Sequence, residues 1–244
     1  MSPRTTLATA RRVARQLRRD RRTLALVLVV PPALLALLAY VFDRRPETFD
    51  RIGAPLVGVF PLILMFLVTS IAMLRERSTG TLERLMSMPM AKLDLLLGYG
   101  LAFAAVGALQ AGVTAAVAFG LLGVSTAGPV WAVIALAVVN AILGMALGLF
   151  VSAFATSEFQ AVQFMPAFIL PQLLLGGLFV PRELMPDALQ TVSDALPFTY
   201  AYDALAKVAV DDVDGRLWLD VGVLAACIVL ALTLGATTLR RRTP

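Results

Sequence analysis

Six stretches of this chain stay apolar for about 20 residues or more, the length an α-helix needs to cross a bilayer. They occupy residues 24–42, 52–74, 95–122, 130–154, 161–180 and 219–239, and no Asp, Glu, Lys or Arg falls well inside any of them. Hydrocarbon offers no partner to a backbone N–H or C=O, so runs of this kind must satisfy their own hydrogen bonds as helices. Charged residues make up 15% of the 244 positions. A soluble domain carries roughly 25%, and the mean hydropathy here is +0.84. The expected fold is all-α: a polytopic membrane protein with six transmembrane helices in a single domain over residues 1–244. Pro31, Pro32, Pro61, Pro166 and Pro171 lie within the spans. Kinks without breaks are expected there, because neighbouring helices re-satisfy the freed carbonyls.

The basic residues set an orientation. Eight arginines precede the first span: Arg4, Arg11, Arg12, Arg15, Arg18, Arg19, Arg21 and Arg22. Arg75, Arg77, Arg84 and Lys92 follow the second, and Arg240, Arg241 and Arg242 follow the last. Only Arg44, Arg45, Arg51, Arg182, Lys207 and Arg216 fall on the other side. The positive-inside rule then places both termini in the cytoplasm. These arginines flank apolar spans and are not interleaved with aromatics, so they read as topology signals and lipid-headgroup contacts, with no nucleic-acid partner expected.

Two segments outside the spans carry pattern. In residues 1–23, Leu7, Ala10, Val13, Ala14 and Leu17 recur at helical spacing beside an arginine flank, as in an amphipathic interfacial helix on an anionic leaflet. The apolar run that follows is too long for the core of a cleaved signal peptide and lacks a clear small-x-small site. Residues 181–218 carry Glu183, Asp187, Asp194, Asp203, Asp211, Asp212 and Asp214. They also carry Leu184, Met185, Leu189, Val192, Leu196, Phe198, Tyr200, Tyr202 and Leu205, enough to bury a face. Both a short external helical hairpin dipping toward the membrane and an ordinary loop fit this segment.

Much chemistry is excluded by composition. There is no histidine and one cysteine, Cys227, so His-based triads, His-metal sites and intrachain disulfides are out. Neither lysine follows a glycine, as a phosphate-binding P-loop requires. No catalytic residue and no metal site are expected. The neutral polar residues Thr69, Ser70, Gln110, Thr114, Asn140, Ser152, Gln160, Gln163 and Gln172 suit hydrogen bonds between helices. Gly144, Gly148 and Ser152 repeat at the four-residue spacing that lets two helices approach closely.

One stretch fits none of this: RERSTGTLERLMSMPM, residues 75–90. Gly80 can cap a short helix in which Glu83 takes the third position, where a carboxylate complements the free amides. Leu82, Leu85 and Met86 form one apolar stripe, extended by Met88 and Met90, and Pro89 ends the helix. It reads either as an interfacial helix capping the loop or as a docking handle whose Leu and Met fill a partner's groove.

The pattern Arg75-Glu76-Arg77-x-x-Gly80-Thr81-Leu82-Glu83-Arg84-Leu85-x-x-x-Pro89 resembles a conserved stretch of type-2 ABC exporter permeases. Within them it is most similar to the daunorubicin-resistance-type membrane subunits. Arg18-Arg19-Asp20-Arg21-Arg22, Gly176-Gly177-Leu178-Phe179-Val180-Pro181 and Leu196-Pro197-Phe198-Thr199-Tyr200 with Asp203-Ala204-Leu205 resemble further family segments. The resemblance implies a permease in a bacterial plasma membrane, paired with a second copy and with two separate ATPase subunits. Those subunits would bind ATP and Mg, and this chain would bind no cofactor. It implies that Arg75, Glu76, Arg77, Gly80, Thr81, Leu82, Glu83, Arg84, Leu85 and Met86 form the coupling helix that rests on the ATPase. It also implies an external re-entrant hairpin between the fifth and sixth spans. A translocation path along the second and fifth spans would use Thr69, Gln163, Phe164, Phe168 and Gln172. An apolar path with a few amides suits an amphipathic drug or lipid; a glycan substrate, or a carrier or channel independent of ATP, are the alternatives.

Overall fold

The computed structural model describes residues 2–87, 91–212 and 215–238, apart from the side chains of Pro46, Glu83, Met86 and Lys92. The stripe extension at Met88 and Met90, the stop at Pro89, Asp214 and the basic run Arg240–Arg242 lie outside the described residues. The helices are α1 (Pro3–Arg19), α2 (Arg21–Val41), α3 (Pro46–Ser78), α4 (Thr81–Met86), α5 (Lys92–Gly120), α6 (Val130–Val151), α7 (Glu158–Leu175), α8 (Asp187–Asp194), α9 (Pro197–Ala209) and α10 (Gly215–Thr238). Single 3-10 turns follow α6 and precede α8, and the described residues contain no strand.

Five of these helices, α2, α3, α5, α6 and α10, are long and apolar enough to cross a membrane. The fifth expected span is shorter than its apolar run. α7 holds 18 residues and stops at Gly176, so residues 176–180 are not helical. Gly177 takes φ +92, a conformation that glycine reaches without strain. A Cβ on Gly176 would lie 2.3 Å from the ring of Phe198, so the glycine pair ends the helix and admits the start of α9. Pro31 and Pro32 lie inside α2, Pro61 inside α3, and Pro166 and Pro171 inside α7, and each helix continues through them.

The core is built around α6 against α3. Two-thirds of the α6 span is buried, 67% against 17% for α2 and 22% for α10, so α6 is the central helix. Gly144 and Gly148 make this possible. A Cβ on either would lie 2.0 Å from the Leu62 carbonyl oxygen or 2.3 Å from that of Phe66. The two backbones therefore touch along the small-residue stripe, as its spacing predicts. Asn140 on α6 donates to the Gly58 carbonyl of α3 at 3.1 Å, adding a buried polar tie in the same seam.

The amphipathic helix forms, but its inner face rests on protein. Thr9, Ala10 and Val13 of α1 are buried, while Leu7 and Ala14 stay exposed. α1 lies along the start of α5, where Gly98 leaves room for Thr9. Asp94 fixes the register by accepting from the Ser2 backbone N–H at 3.2 Å and from the Thr5 and Thr6 hydroxyls at 3.1 and 3.3 Å. At the next junction Asp20 accepts from the N–H and hydroxyl of Thr23, capping α2.

At the opposite end α8 and α9 form the helical pair that the mixed segment allowed. α9 buries Phe198, Ala201, Ala204, Leu205 and Val208 in the same core as α3 and α6. Leu184, Leu189 and Val192 before and within α8 remain exposed. Ser193 and Thr199 lock the corner: Ser193 donates to the Leu175 carbonyl at 2.8 Å, and Thr199 donates to the Ser193 carbonyl at 2.8 Å. Arg182 binds Asp203 of α9 at 3.1 Å and also Asp194 of α8, and Lys207 binds Asp220 of α10.

The seam between α3 and α6 yields a direct test. Gly144→Leu and Gly148→Leu must force the backbones apart, at about 3 kcal/mol or more of overpacking. Gly112→Ala, at a helical position with open space around it, gains about 0.8 kcal/mol of helix propensity. Thermal unfolding of the purified protein in detergent is expected to show a clear loss for the first two and none for the third.

Candidate coupling site

α3 is 33 residues long and spans about 50 Å at 1.5 Å per residue, well beyond a hydrocarbon core of about 30 Å. Its last turns therefore project past the apolar layer and carry the charged motif with them. The chain leaves α3 through Thr79, whose hydroxyl donates to the Arg75 carbonyl at 2.7 Å. Gly80 then adopts φ +70, which reverses the chain, and its carbonyl accepts from the Arg84 N–H at 3.1 Å to open α4. Gly80 thus fills the capping position that its spacing predicts.

The apolar stripe of α4 turns inward. Leu82 is 8% exposed and Leu85 9%, packed in one cluster with Val13 of α1, Val27 of α2, Met73 of α3 and Leu95, Tyr99 and Phe103 of α5. These leucines are consumed by the chain's own core, which corrects the expectation that they fill a groove in a partner. Arg84 and Ser87 are exposed on the other side, with Thr81 half-buried. The side chains of Glu83 and Met86 lie outside the described residues.

The charged triplet before α4 is also internally committed, and each member reaches a different helix. Arg75 forms a two-point pair with Glu158 at the start of α7, Nε–Oε1 2.7 Å and Nη2–Oε2 3.0 Å. The hydrogen bond and charge of Arg75 hold the Glu158 carboxyl below its ordinary value. Glu76 is buried and binds Arg12 of α1 at 3.0 Å, and the same guanidinium donates to the Tyr99 hydroxyl of α5 at 3.3 Å. Burial alone would lower the Arg12 pKa, but the bond to Glu76 and the nearby Tyr99 reverse that, leaving it raised. Arg77 donates to the Thr238 hydroxyl at the end of α10 at 3.3 Å. Three consecutive side chains thus tie the end of α3 to α7, α1 and α10.

Composition alone does not reveal these partners. Glu158 is the single charge of the short connection into α7, and that isolation opposite an arginine-rich loop is the available signal. Arg12 is one of eight tail arginines, and only the packing of α1 on α5 selects it.

The expected path residues do not converge. Thr69 and Gln172 are buried within the chain; Gln172 donates to the Phe168 carbonyl at 2.9 Å and accepts from the Phe198 N–H at 3.4 Å. Phe164 is half-buried against the core. Gln163 is exposed on a face of α7 shared with Phe159, Val162, Leu170 and Leu174, whereas Phe168, five residues on and so about 140° round the helix, stacks on Phe66 of α3 at 6.0 Å. Among the described residues no group of His, Cys, Asp and Glu is placed to share a metal ion.

A family model described as ABC-2 type transporter matches residues 4–210. The chain is 26% identical over 157 residues to the protein named "Probable multidrug ABC transporter permease YbhR" of Escherichia coli, covering 64% of this chain and 43% of that one. It is 24% identical over 172 residues to linearmycin resistance permease protein LnrN of Bacillus subtilis, covering 68% and 43%. It is 28% identical over 172 residues to Nodulation protein J of Rhizobium leguminosarum, covering 69% and 64%. The matches thus span less than half the length of the first two relatives. With five helices apolar and long enough to span, the chain is a multi-pass membrane protein. The extent of the family match, most of the 244 residues, establishes that it belongs to the ABC-2 type transporter family.

Proposed function

We propose that this chain is the permease subunit of an ATP-driven exporter that moves an amphipathic, drug- or lipid-like substrate outward. The relatives named for multidrug transport and linearmycin resistance support that substrate class. In this reading residues 1–244 form one domain in a bacterial plasma membrane. α7 serves as a sixth, kinked span, both termini are cytoplasmic, and α8–α9 form an external re-entrant hairpin. Two ATPase subunits bind ATP and Mg, and a second permease copy completes the path. Hydrolysis belongs to the partners, because this chain has no P-loop lysine.

The observation that carries this reading is the fan of contacts from Arg75, Glu76 and Arg77 to α7, α1 and α10. An ATPase that moves α4 acts on the end of α3 and, through the triplet, on α7. The exposed face of α4 around Arg84 is the docking surface, with Glu83 on the same short helix. The buried Leu82 and Leu85 make α4 move with the core instead of sliding over it. The exposed face of α7 bearing Gln163 meets its counterpart in the second copy, and Thr69, Phe164, Phe168 and Gln172 lie toward α3 along the path.

Two outcomes are expected when the chain is co-reconstituted with its ATPase in liposomes. Arg84→Glu weakens ATPase association and lowers ATP-dependent transport several-fold, with membrane insertion unchanged; normal co-purification and flux would refute the docking role. Arg75→Glu costs about 1 kcal/mol or less in stability, as expected of an exposed pair, yet lowers transport per ATP hydrolysed. The swap Arg75→Glu with Glu158→Arg restores transport, whereas failure of the swap with intact assembly would show that the pair does not relay motion.

A further inference from the structure

At the hairpin end of the bundle a cleft of about 770 Å³ opens between the start of α3, the loop after α5, and α9. Its volume lies in the range of small-molecule sites. Several of its charges are occupied: Asp203 by Arg182, Lys207 by Asp220, and Asp50 by the Ser125 N–H at 2.9 Å. Four polar side chains lining it make no hydrogen bond or ion pair among the described residues: Glu47, Arg51, Glu183 and Tyr202. Tyr202 is 7% exposed, so its unpaired hydroxyl sits on a nearly buried ring in the cleft wall. Arg51 lies close enough to that phenol to act on it electrostatically. The cleft therefore holds an anion-binding pair, Arg51 and the Tyr202 hydroxyl, together with two free carboxylates.

Its level relative to the membrane is marked by aromatics. Trp218, 69% exposed, opens α10 beside Leu219, which lines the adjoining cleft across Arg182, Asp203 and Lys207. Tyr40 at the end of α2 and Trp131 at the start of α6 are exposed at the same end of the bundle. Exposed Trp and Tyr at span ends mark the headgroup layer. Leu184, beside Glu183, is exposed too and continues the apolar surface to the rim of the cleft.

We propose that this cleft binds the headgroup of a zwitterionic phospholipid, its phosphate held by Arg51 and Tyr202 and its amine by Glu47 and Glu183. The bound lipid fills the space between α3 and α9. The outward-facing placement of this end rests on the exporter reading, but headgroup binding does not.

The test uses the purified full chain in maltoside micelles, without an ATPase, so its failure leaves the transport reading intact and the converse also holds. Dihexanoyl phosphatidylethanolamine and dihexanoyl phosphatidylglycerol are titrated by calorimetry. The wild type is expected to bind the ethanolamine lipid about tenfold more tightly, the scale of one charge-assisted contact. Glu183→Gln removes most of that preference while leaving phosphatidylglycerol binding unchanged. Arg51→Gln weakens both lipids. Both side chains are exposed and unpaired, so neither variant threatens folding. Equal affinity for the two lipids in the wild type, or ethanolamine-lipid affinity unaltered in either variant, overturns the proposal.

Discussion

Everything else in the bundle hangs on the backbone contact between α3 and α6. Lipid tails are as apolar as leucine, so helices in a membrane gain little by hiding apolar side chains from them. They gain by packing closely, and Gly144 and Gly148 let the α6 backbone reach the carbonyls of Leu62 and Phe66. The pair then serves as a rigid spine. α5 packs on it through Gly107 against Ala141, α9 through Leu205 against Gly58, and α10 through Gly235 against Leu149. Small residues set each approach, so helix positions are fixed by steric fit with little help from charge.

Charge does its work at the two ends. At the α4 end the Arg75, Glu76 and Arg77 side chains each reach a different helix, and at the hairpin end Arg182 and Lys207 do the same. Between them the buried polar groups are neutral, with Asn140 on the Gly58 carbonyl of α3 and the Thr114 hydroxyl on the Gln110 carbonyl within α5. Long-range ion pairs at both ends with none in the middle suit helices that tilt as rods. In water-accessible layers such pairs can break and re-form at modest cost, whereas a pair at mid-membrane would resist separation strongly.

The sequence is most legible where one physical rule decides the outcome. Apolar length identifies α2, α3, α5, α6 and α10, though α3 begins six residues before its apolar run, and the spacing of Gly144 and Gly148 identifies the α3–α6 seam. It is least legible where two rules compete. Residues 161–180 are apolar enough to continue as helix, but Gly177 at φ +92 and the packing of Phe198 on Gly176 stop α7 earlier. Leu82 and Leu85 form a stripe that suits a partner's groove as well as this chain's own core, and amphipathicity alone cannot distinguish the two. The folded chain resolves it because α1, α2 and α5 meet beside α4 and leave an apolar gap there. The choice of Arg12 for Glu76 depends on that same meeting.

The inward turn of Leu82 and Leu85 also changes what a coupling element must be. A helix that offered its apolar face to a partner would bind tightly but pass on little motion, since a short hinge at Gly80 would let it swing alone. Anchored by two leucines in the cluster that holds Met73, Tyr99 and Phe103, α4 cannot move without moving the ends of α3 and α5. In the proposed reading, its polar face around Arg84 takes a partner that engages and releases through each cycle. Under the proposed exporter reading, tight internal packing with a weak outer contact would turn reversible docking into movement of the spans.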